Sequence, residues 1–180
     1  MSFSVSFRPP APRSAPAGDP VPPEADEEYE TLVMEACEAL AEAGDCGFRM
    51  GGFGTPEWPV DVAYDLSTLM EQLPALLAGV RAGREVEVDL YSQGLERTLT
   101  FHPEGEVVAI RCASRTRWVP EPEWERVPRD ELLAMLTGLA ADFADGLAAV
   151  DSPLAEVSPF REWRERGGPE TPRATGAGTG

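Results

Sequence analysis

Residues 85–113 constrain the fold most strongly, because apolar and polar side chains alternate there through three consecutive segments. Successive side chains of a strand point to opposite faces, so this alternation indicates a sheet with one buried face. Two short turns, at Gln93-Gly94 and Glu104-Gly105, separate the three segments. We therefore predict a three-stranded antiparallel meander with one apolar and one polar face.

The two turns also predict which residues of the meander lie opposite one another. The first turn predicts two apolar pairs, Val86 with Phe101 and Val88 with Leu99. The second turn predicts three more pairs on the same face: Phe101 with Val108, Leu99 with Ile110, and Arg97 with Cys112. The polar face is expected to carry Glu85, Glu87, Asp89, Tyr91, Glu96, Thr98, Thr100, His102, Val107, Ala109 and Arg111. Asp89, Thr98 and Arg111 are expected to form one cross-strand row on that face.

Three longer segments repeat apolar side chains at the spacing of an amphipathic helix. They lie at residues 24–44, 66–80 and 128–150. Thr68 and Glu71 have the spacing of a capping box at the start of the second helix. The buried stripe of the third helix is expected to consist of Leu132, Leu136, Leu139, Phe143, Leu147 and Val150.

Three shorter segments complete the predicted fold. Val60, Val62 and Tyr64 alternate with other residues and predict one further strand. The glycine-rich segment 44–54 is expected to be a loop lying against the core, and a short helix is expected after Ser158-Pro159. The order of elements predicts an α+β fold, in which the meander and the further strand form a mixed sheet with helices packed on one face.

Composition divides the chain into one domain and two tails. Residues 1–23 are rich in proline and predict a disordered arm, and residues 167–180 are rich in glycine and threonine and predict a disordered tail. Residues 24–166 are expected to form a single α+β domain.

The charge of the chain limits its possible partners. Thirty-two acidic residues against fifteen basic ones give a formal net charge of −17 in 180 residues. Nucleic acids and anionic membranes would be repelled, whereas a basic protein would be attracted. The sequence has no long apolar run and no signal-peptide pattern, so we expect a cytoplasmic protein. All fifteen bases are arginine and Ile110 is the only isoleucine, which is typical of a GC-rich, actinobacterium-like source.

The residues that usually carry catalysis are sparse. His102 is the only histidine, and the three cysteines, Cys37, Cys46 and Cys112, are not clustered. We therefore expect no metal, no cofactor and no nucleophile with a histidine base. Glu87 and Asp89 are a possible carboxylate pair for hydrolysis, but their place on the polar face predicts water around both. The sequence favours a protein that is not an enzyme.

Large aromatic residues occur in proline- and glutamate-bearing segments outside the predicted helices and strands. Trp58 lies in one such segment, and Trp118 and Trp124 flank an extended acidic connector. Such residues are either lids over the edge of the core or anchors of an interface, in which surrounding acids would attract a basic partner. The predicted contact surface consists of Trp58, Glu85, Glu87, Asp89, Tyr91, Trp118, Glu121, Glu123 and Trp124.

One stretch of the chain resembles a known group of proteins. Its motifs, in chain order, are Gly52-Phe53-Gly54-x-x-x-Trp58-Pro59-Val60-Asp61, then Asp65-Leu66 and Glu71-Gln72-Leu73-Pro74, and then Asp89-Leu-Tyr91-Ser-Gln93-Gly94-x-Glu96-Arg97. From about residue 48 to residue 118, the chain resembles small actinobacterial proteins of uncharacterised or immunity type, some of them encoded beside polymorphic toxins. The resemblance implies an immunity protein that neutralises a basic toxin domain. A hydrolase with a carboxylate pair, an acidic mimic of nucleic acid and a regulatory protein remain as alternatives.

Overall fold

A computed structural model describes residues 2–12 and 28–166 of the protein. The strands are β1 (Ser4–Arg8), β2 (Gly47–Gly51), β3 (Val86–Leu90), β4 (Arg97–Glu104), β5 (Val107–Ser114) and β6 (Trp124–Pro128). The helices are α1 (Tyr29–Ala43), α2 (Ser67–Arg81), α3 (Arg129–Ala149) and α4 (Phe160–Arg166), with a π-helical turn at Val62–Leu66 and a 3-10 turn at Pro153–Glu156.

The protein has an α+β fold with two antiparallel sheets. Strands β1 and β2 form one sheet, and strands β3 to β6 form the other in chain order. The inner face of the larger sheet is apolar and buried, as Val88, Leu99 and Ile110 show, and it shares one core with the helices. Helix α2 packs against β3 and helix α3 packs against β1.

The register of the larger sheet agrees with the prediction in the first hairpin and differs in the second. Val86 lies opposite Phe101 and Val88 opposite Leu99, as predicted. In the second hairpin the predicted pairs are wrong: Phe101 lies opposite Ile110, Leu99 opposite Cys112, and Arg97 opposite Ser114. The reason is that the turn falls at Gly105-Glu106, where Gly105 adopts a φ of 71°. Because the displacement is two residues, the side chains of β5 keep their predicted faces. The predicted two-residue turn at Gln93-Gly94 is wrong, since the loop spans residues 91–96 and removes Tyr91 and Glu96 from the strands.

The same displacement alters the predicted row on the polar face. Asp89 lies opposite Thr98, but Arg111 lies opposite Thr100 instead of joining them. Arg115 takes its place, since its guanidinium donates to Thr98 Oγ1 and to Asp89 Oδ1, each over 2.6 Å.

The prediction of a strand at Val60–Tyr64 is wrong, and the larger sheet is antiparallel instead of mixed. Asp61 caps a helical turn there, because its Oδ1 accepts the backbone N–H of Tyr64 over 2.7 Å. The predicted second helix is confirmed as α2, and the π-helical turn precedes it. Thr68 does not act in a capping box, because its hydroxyl donates to Tyr64 O over 2.8 Å. The fourth strand of the sheet is β6, which includes the end of the predicted connector.

The predictions for residues 4–8 and 47–51 are also wrong, since these residues form strands β1 and β2 and not part of an arm and a loop. Phe3, Val5 and Phe7 alternate with exposed residues and are buried. This pairing joins residues about forty positions apart, which local composition does not reveal. The rest of the predicted arm, from residue 13, and the predicted tail at 167–180 lie outside the described residues.

The predicted helices at 24–44, 128–150 and after Pro159 are confirmed as α1, α3 and α4. Helix α1 ends at Gly44, which has the left-handed conformation with a φ of 80°. The predicted stripe of α3 is buried throughout. Helix α3 is long and apolar enough to cross a bilayer by length and composition alone, a property that core helices share.

Candidate functional site

The structure buries Trp58, so it is not an exposed anchor as predicted. Its side chain is 2% exposed and its Nε1–H donates to Gly52 O over 3.3 Å. The guanidinium carbon of Arg97 lies 4.2 Å from the centroid of Trp58 and 3.6 Å from that of the partly buried Trp118. Trp58 and Trp118 therefore enclose the guanidinium of Arg97. Their position corresponds to the alternative prediction for these residues, a lid over the edge of the core.

Three of the five acids in the predicted contact surface are paired with bases of the same chain. Three pairs have a nitrogen-to-oxygen distance of 2.6 Å: Glu85 with His102, Asp89 with Arg115, and Glu123 with Arg111. Glu87 is exposed, and so is Glu121 in the connector. Trp124 is 46% exposed, and its ring centroid lies 5.2 Å from that of His102. The face thus carries mixed charge.

A separate cleft of about 650 Å³ opens between helix α1, the π-helical turn, helix α2 and the loop between β3 and β4. Its lining includes four carboxyl side chains, those of Glu38, Asp61, Asp65 and Glu71. No arginine or histidine is among the described residues that line it. We call this site the acidic cleft.

Three apolar or aromatic side chains stand at the acidic cleft. Tyr64 is 72% exposed, Tyr91 is 57% exposed and Met34 is 48% exposed. Of the nine predicted contact residues, Tyr91 alone lines the cleft. Large exposed side chains beside carboxylates combine contact area with charge, as in sites that bind organic cations or basic side chains.

Asp65 lies deepest among the acids of the cleft and is 4% exposed. Its Oδ2 accepts the backbone N–H of Asp61 over 2.9 Å, whereas its Oδ1 is buried and has no hydrogen-bond partner. Burial raises the pKa of the Asp65 carboxyl above its ordinary value, and the nearby Asp61 carboxyl adds to the rise. The Asp61 N–H and the neighbouring Ser92 hydroxyl oppose the shift without satisfying Oδ1.

The π-helical turn explains how Asp65 reaches this position. Two hydrogen bonds from side chain to backbone hold the turn. Asp61 Oδ1 accepts the backbone N–H of Tyr64, and Asp65 Oδ2 accepts the backbone N–H of Asp61. A π-helical turn is wider than an α-helical one and occurs often at functional sites. Here it leads directly into α2, so that Asp65 is fixed to a regular element.

The loop that forms the opposite wall is fastened to helix α2. Gln72 Nε2 donates to the backbone oxygen of Asp89, and Gln72 Oε1 accepts the backbone N–H of Asp89, both over 2.9 Å. Thr68 Oγ1 and Ser92 Oγ lie 3.4 Å apart, and Tyr91 Oη donates to Glu71 Oε2 over the same distance. The walls of the cleft are therefore joined by specific hydrogen bonds.

No protein-family model, curated protein or solved structure matches the chain. Function must therefore be argued from the site itself.

The chemistry of the acidic cleft favours binding of a cation that brings its own hydrogen-bond donors. Within the described part of the chain, no three His, Cys, Asp or Glu side chains are placed to hold a metal ion. Sequence reasoning missed the cleft because its walls come from three separated segments. The spacing of Asp61 and Asp65 was no signal, because the two side chains share a face both in a strand and in a helical turn.

Proposed function

We propose that the protein is a non-enzymatic, acidic binding module whose acidic cleft docks a basic protein. The observation that supports this most directly is the contrast between the two acidic regions. Glu85, Asp89 and Glu123 of the predicted contact surface are paired with arginine or histidine, whereas the described lining of the acidic cleft has four carboxyl groups and no base. The acidic cleft is thus the region where electrostatic attraction would favour binding of a partner's positively charged group most strongly.

The overall charge supports the same function through association kinetics. A net charge of −17 attracts a basic protein from a distance and raises the rate of productive encounter. Close contact then depends on groups that can be buried, which Tyr64, Tyr91 and Met34 provide at the cleft. Long-range attraction and local packing therefore favour the same class of partner.

The resemblance to immunity-type proteins gives this proposal its concrete form. We propose a cytoplasmic immunity protein that neutralises a cognate basic toxin domain by occluding it. The partner would be the product of a neighbouring gene, and binding would require neither metal nor cofactor.

Two linked measurements test the proposal. The immobilised protein is exposed to a lysate of its source, and captured basic proteins are identified by mass spectrometry. Each is then expressed in a heterologous host with and without this chain. We expect one basic protein that arrests growth alone and loses that effect on co-expression. Capture of no basic protein, or growth arrest that this chain does not relieve, would contradict the proposal.

One observation favours a second candidate, a hydrolase that uses a carboxylate pair. Asp65 is a buried acid with a raised pKa, and Asp61 and Glu71 line the same cleft. A general acid held by burial beside a second carboxylate is the arrangement that glycoside hydrolysis requires. Hydrolysis of glycoside substrates by the purified protein, lost in Asp65→Asn, would establish this candidate. Inactivity of the intact protein would remove it.

A further inference from the structure

We propose that an extended, basic segment of the partner pairs with the outer edge of strand β6 and adds a fifth strand to the larger sheet. The inference rests on the proposed function, because it gives the same basic protein a second contact, apart from the acidic cleft. Main-chain hydrogen bonds would align the segment with the edge, and side chains beside the edge would select it.

The pairing of β5 with β6 shows which backbone groups of β6 face outward. Cys112 N–H donates to Glu123 O over 3.0 Å. Bonded and non-bonded pairs alternate along an antiparallel ladder, so the backbone of Glu125 also bonds to β5. The backbone N–H and C=O groups of Trp124 and Arg126 therefore point away from the sheet. Among the described residues, none bonds to these four groups.

At each other sheet edge, outward backbone groups bond to another part of the chain. At the edge of β3, Gln72 bonds to both backbone groups of Asp89. In the smaller sheet, Val5 N–H of β1 donates to a methionine sulfur of α3 over 3.3 Å, and Met50 O of β2 accepts a backbone N–H over 2.8 Å. Unpaired backbone groups of an edge strand are a template for pairing with another chain. Within the described part of the protein, β6 is the strand that offers this template.

The side chain of Trp124 provides a contact beside the open edge. It is 46% exposed, and its ring lies against that of His102, with 5.2 Å between the centroids. A side chain opposite Trp124 on an added strand would lie on the same face of the sheet, within reach of the ring. An arginine or lysine there would gain a cation–π contact, and the exposed Glu121 of the preceding connector would attract it. The edge therefore favours a strand that carries basic side chains.

Pairing with a second copy of this chain is disfavoured. A symmetric antiparallel pair of β6 strands that engages both open residues sets Trp124 of each copy opposite Arg126 of the other. The same register sets the two copies of Glu125 opposite each other. Like charges directly opposite one another destabilise a sheet, and two chains of net charge −17 repel each other. The added strand is therefore a segment of a different, basic protein.

Hydrogen exchange of the free protein, resolved at single amides by nuclear magnetic resonance, tests whether the edge is open. The amides of Trp124 and Arg126 should exchange rapidly with solvent. Those of Glu125 and Val127 should be protected, because they bond to β5. Protection of all four amides in the free protein would overturn the inference.

A synthetic peptide serves as the probe for the added strand. It is a short peptide of alternating arginine and valine, and its matched control carries a methyl group on every backbone nitrogen. Methylation removes the backbone donors and keeps the charge. Each peptide is titrated into the full-length protein at about 150 mM salt, which screens long-range attraction. The first peptide should protect the amides of Trp124 and Arg126 from exchange, and the control should bind about tenfold more weakly.

Two substitutions at one position separate the backbone from the side chain. Arg126→Pro removes an outward N–H without removing a bond to β5, a position in which edge strands tolerate proline. Arg126→Gln removes the same charge and keeps the N–H. Binding of the arginine–valine peptide should weaken about tenfold in Arg126→Pro and should not weaken in Arg126→Gln. If Arg126→Pro does not fold, protection of the Trp124 amide in the wild type decides the question.

Several outcomes would overturn the inference. They are protection confined to Tyr64 and the rest of the acidic cleft, equal binding of the methylated peptide, and unchanged binding by Arg126→Pro. A dimer of the free chain with a protected Trp124 amide would also overturn it, since a second copy would then occupy the edge. The proposed function fails separately, in the growth assay. If the wild-type protein relieves growth arrest but the peptide leaves the amides of β6 unprotected, strand addition is wrong and the binding module stands.

Discussion

Asp61 caps the π-helical turn that contains Asp65, and its backbone N–H donates to Asp65 Oδ2 over 2.9 Å, while Asp65 Oδ1 has no hydrogen-bond partner. The turn therefore holds a buried carboxylate only half satisfied. Such an arrangement disfavours the charged form of Asp65 in the free protein. A site that costs stability until a ligand arrives is typical of binding surfaces.

We predict that Asp65→Asn stabilises the free protein at neutral pH. Asparagine keeps the acceptor for Asp61 N–H and removes the buried charge, so the free energy of unfolding should rise by up to about 1 kcal/mol. The melting temperature should then increase by about 2–4 °C, measured by circular dichroism. A lower melting temperature would show that the Asp65 carboxylate supports the fold.

The pH dependence of stability should change in the same variant. The folded protein holds the Asp65 proton more tightly than the unfolded chain, since the pKa is raised by burial. The contribution of this group to stability is therefore greatest at pH values below the ordinary aspartate pKa, and it falls as the pH rises through the raised pKa. Asp61 on the same turn, Glu38 on α1 and Glu71 on α2 share the cleft and remain in the variant.

Thermal unfolding measured from about pH 4 to about pH 8 checks this sign. We expect the difference in stability between Asp65→Asn and the wild type to grow toward the higher pH. A difference that shrinks with increasing pH would mean that Asp65 is stabilised in its charged form.

A second prediction concerns the link between α2 and β3. Gln72→Ala removes both hydrogen bonds to the backbone of Asp89 and should lower the free energy of unfolding by about 1–3 kcal/mol, measured in denaturant. The amide of Asp89 should also exchange faster with solvent. Gln93→Ala, at an exposed position of the adjoining loop, is the control and should change stability by no more than about 0.5 kcal/mol. Equal stability of the two variants would contradict a structural role for Gln72.

A third prediction concerns the cation between the tryptophans. Nε and Nη1 of Arg97 are buried without partners, and burial lowers the pKa of its guanidinium. Arg97→Met keeps most of the volume and removes the uncompensated charge, so we expect a stability equal to that of the wild type or higher. Arg97→Ala leaves a cavity and should cost about 2–4 kcal/mol. A comparable loss in both variants would show that the contacts of the cation with Trp58 and Trp118 dominate.

A fourth prediction concerns the rate at which the captured partner associates. Raising the salt concentration from about 50 mM to about 500 mM should slow association by about tenfold or more, because screening removes the long-range attraction. Dissociation should respond much less. Stopped-flow mixing measures both rates, and association that does not depend on salt would contradict steering by the acids.

The parts of the fold that the sequence predicted are those set by local pattern. Helix α3 follows from its apolar stripe, and the first hairpin follows from alternation on either side of Gly94. The predicted register of the second hairpin was wrong by two residues. A turn at Glu104-Gly105 and a turn at Gly105-Glu106 bury the same faces of the two strands, and the structure has the second. Because side chains of a strand alternate with a period of two residues, alternation alone cannot distinguish registers that differ by two residues.

The parts that the sequence missed depend on contacts between distant segments. The alternation of Phe3, Val5 and Phe7 with serines was a local signal for β1 that the proline-rich composition of residues 1–23 obscured, whereas its pairing with β2 depends on a distant segment. Whether Trp58 is a lid or an anchor could not be decided from the sequence, because its contacts with Arg97 and Trp118 join distant segments. The acidic cleft likewise needs α1, the π-helical turn and the loop after β3 together, so that only Tyr91 was recognised from the chain.

The affinity of the captured partner for two charge-matched double variants tests the account most directly. One variant, Glu38→Gln with Glu71→Gln, neutralises two acids of the cleft, and the other, Glu87→Gln with Glu106→Gln, neutralises two exposed acids outside it. Calorimetric titration should show affinity weakened by about tenfold or more in the first and by about twofold or less in the second. Equal weakening in both variants, or greater weakening in the second, would contradict a binding site at the acidic cleft.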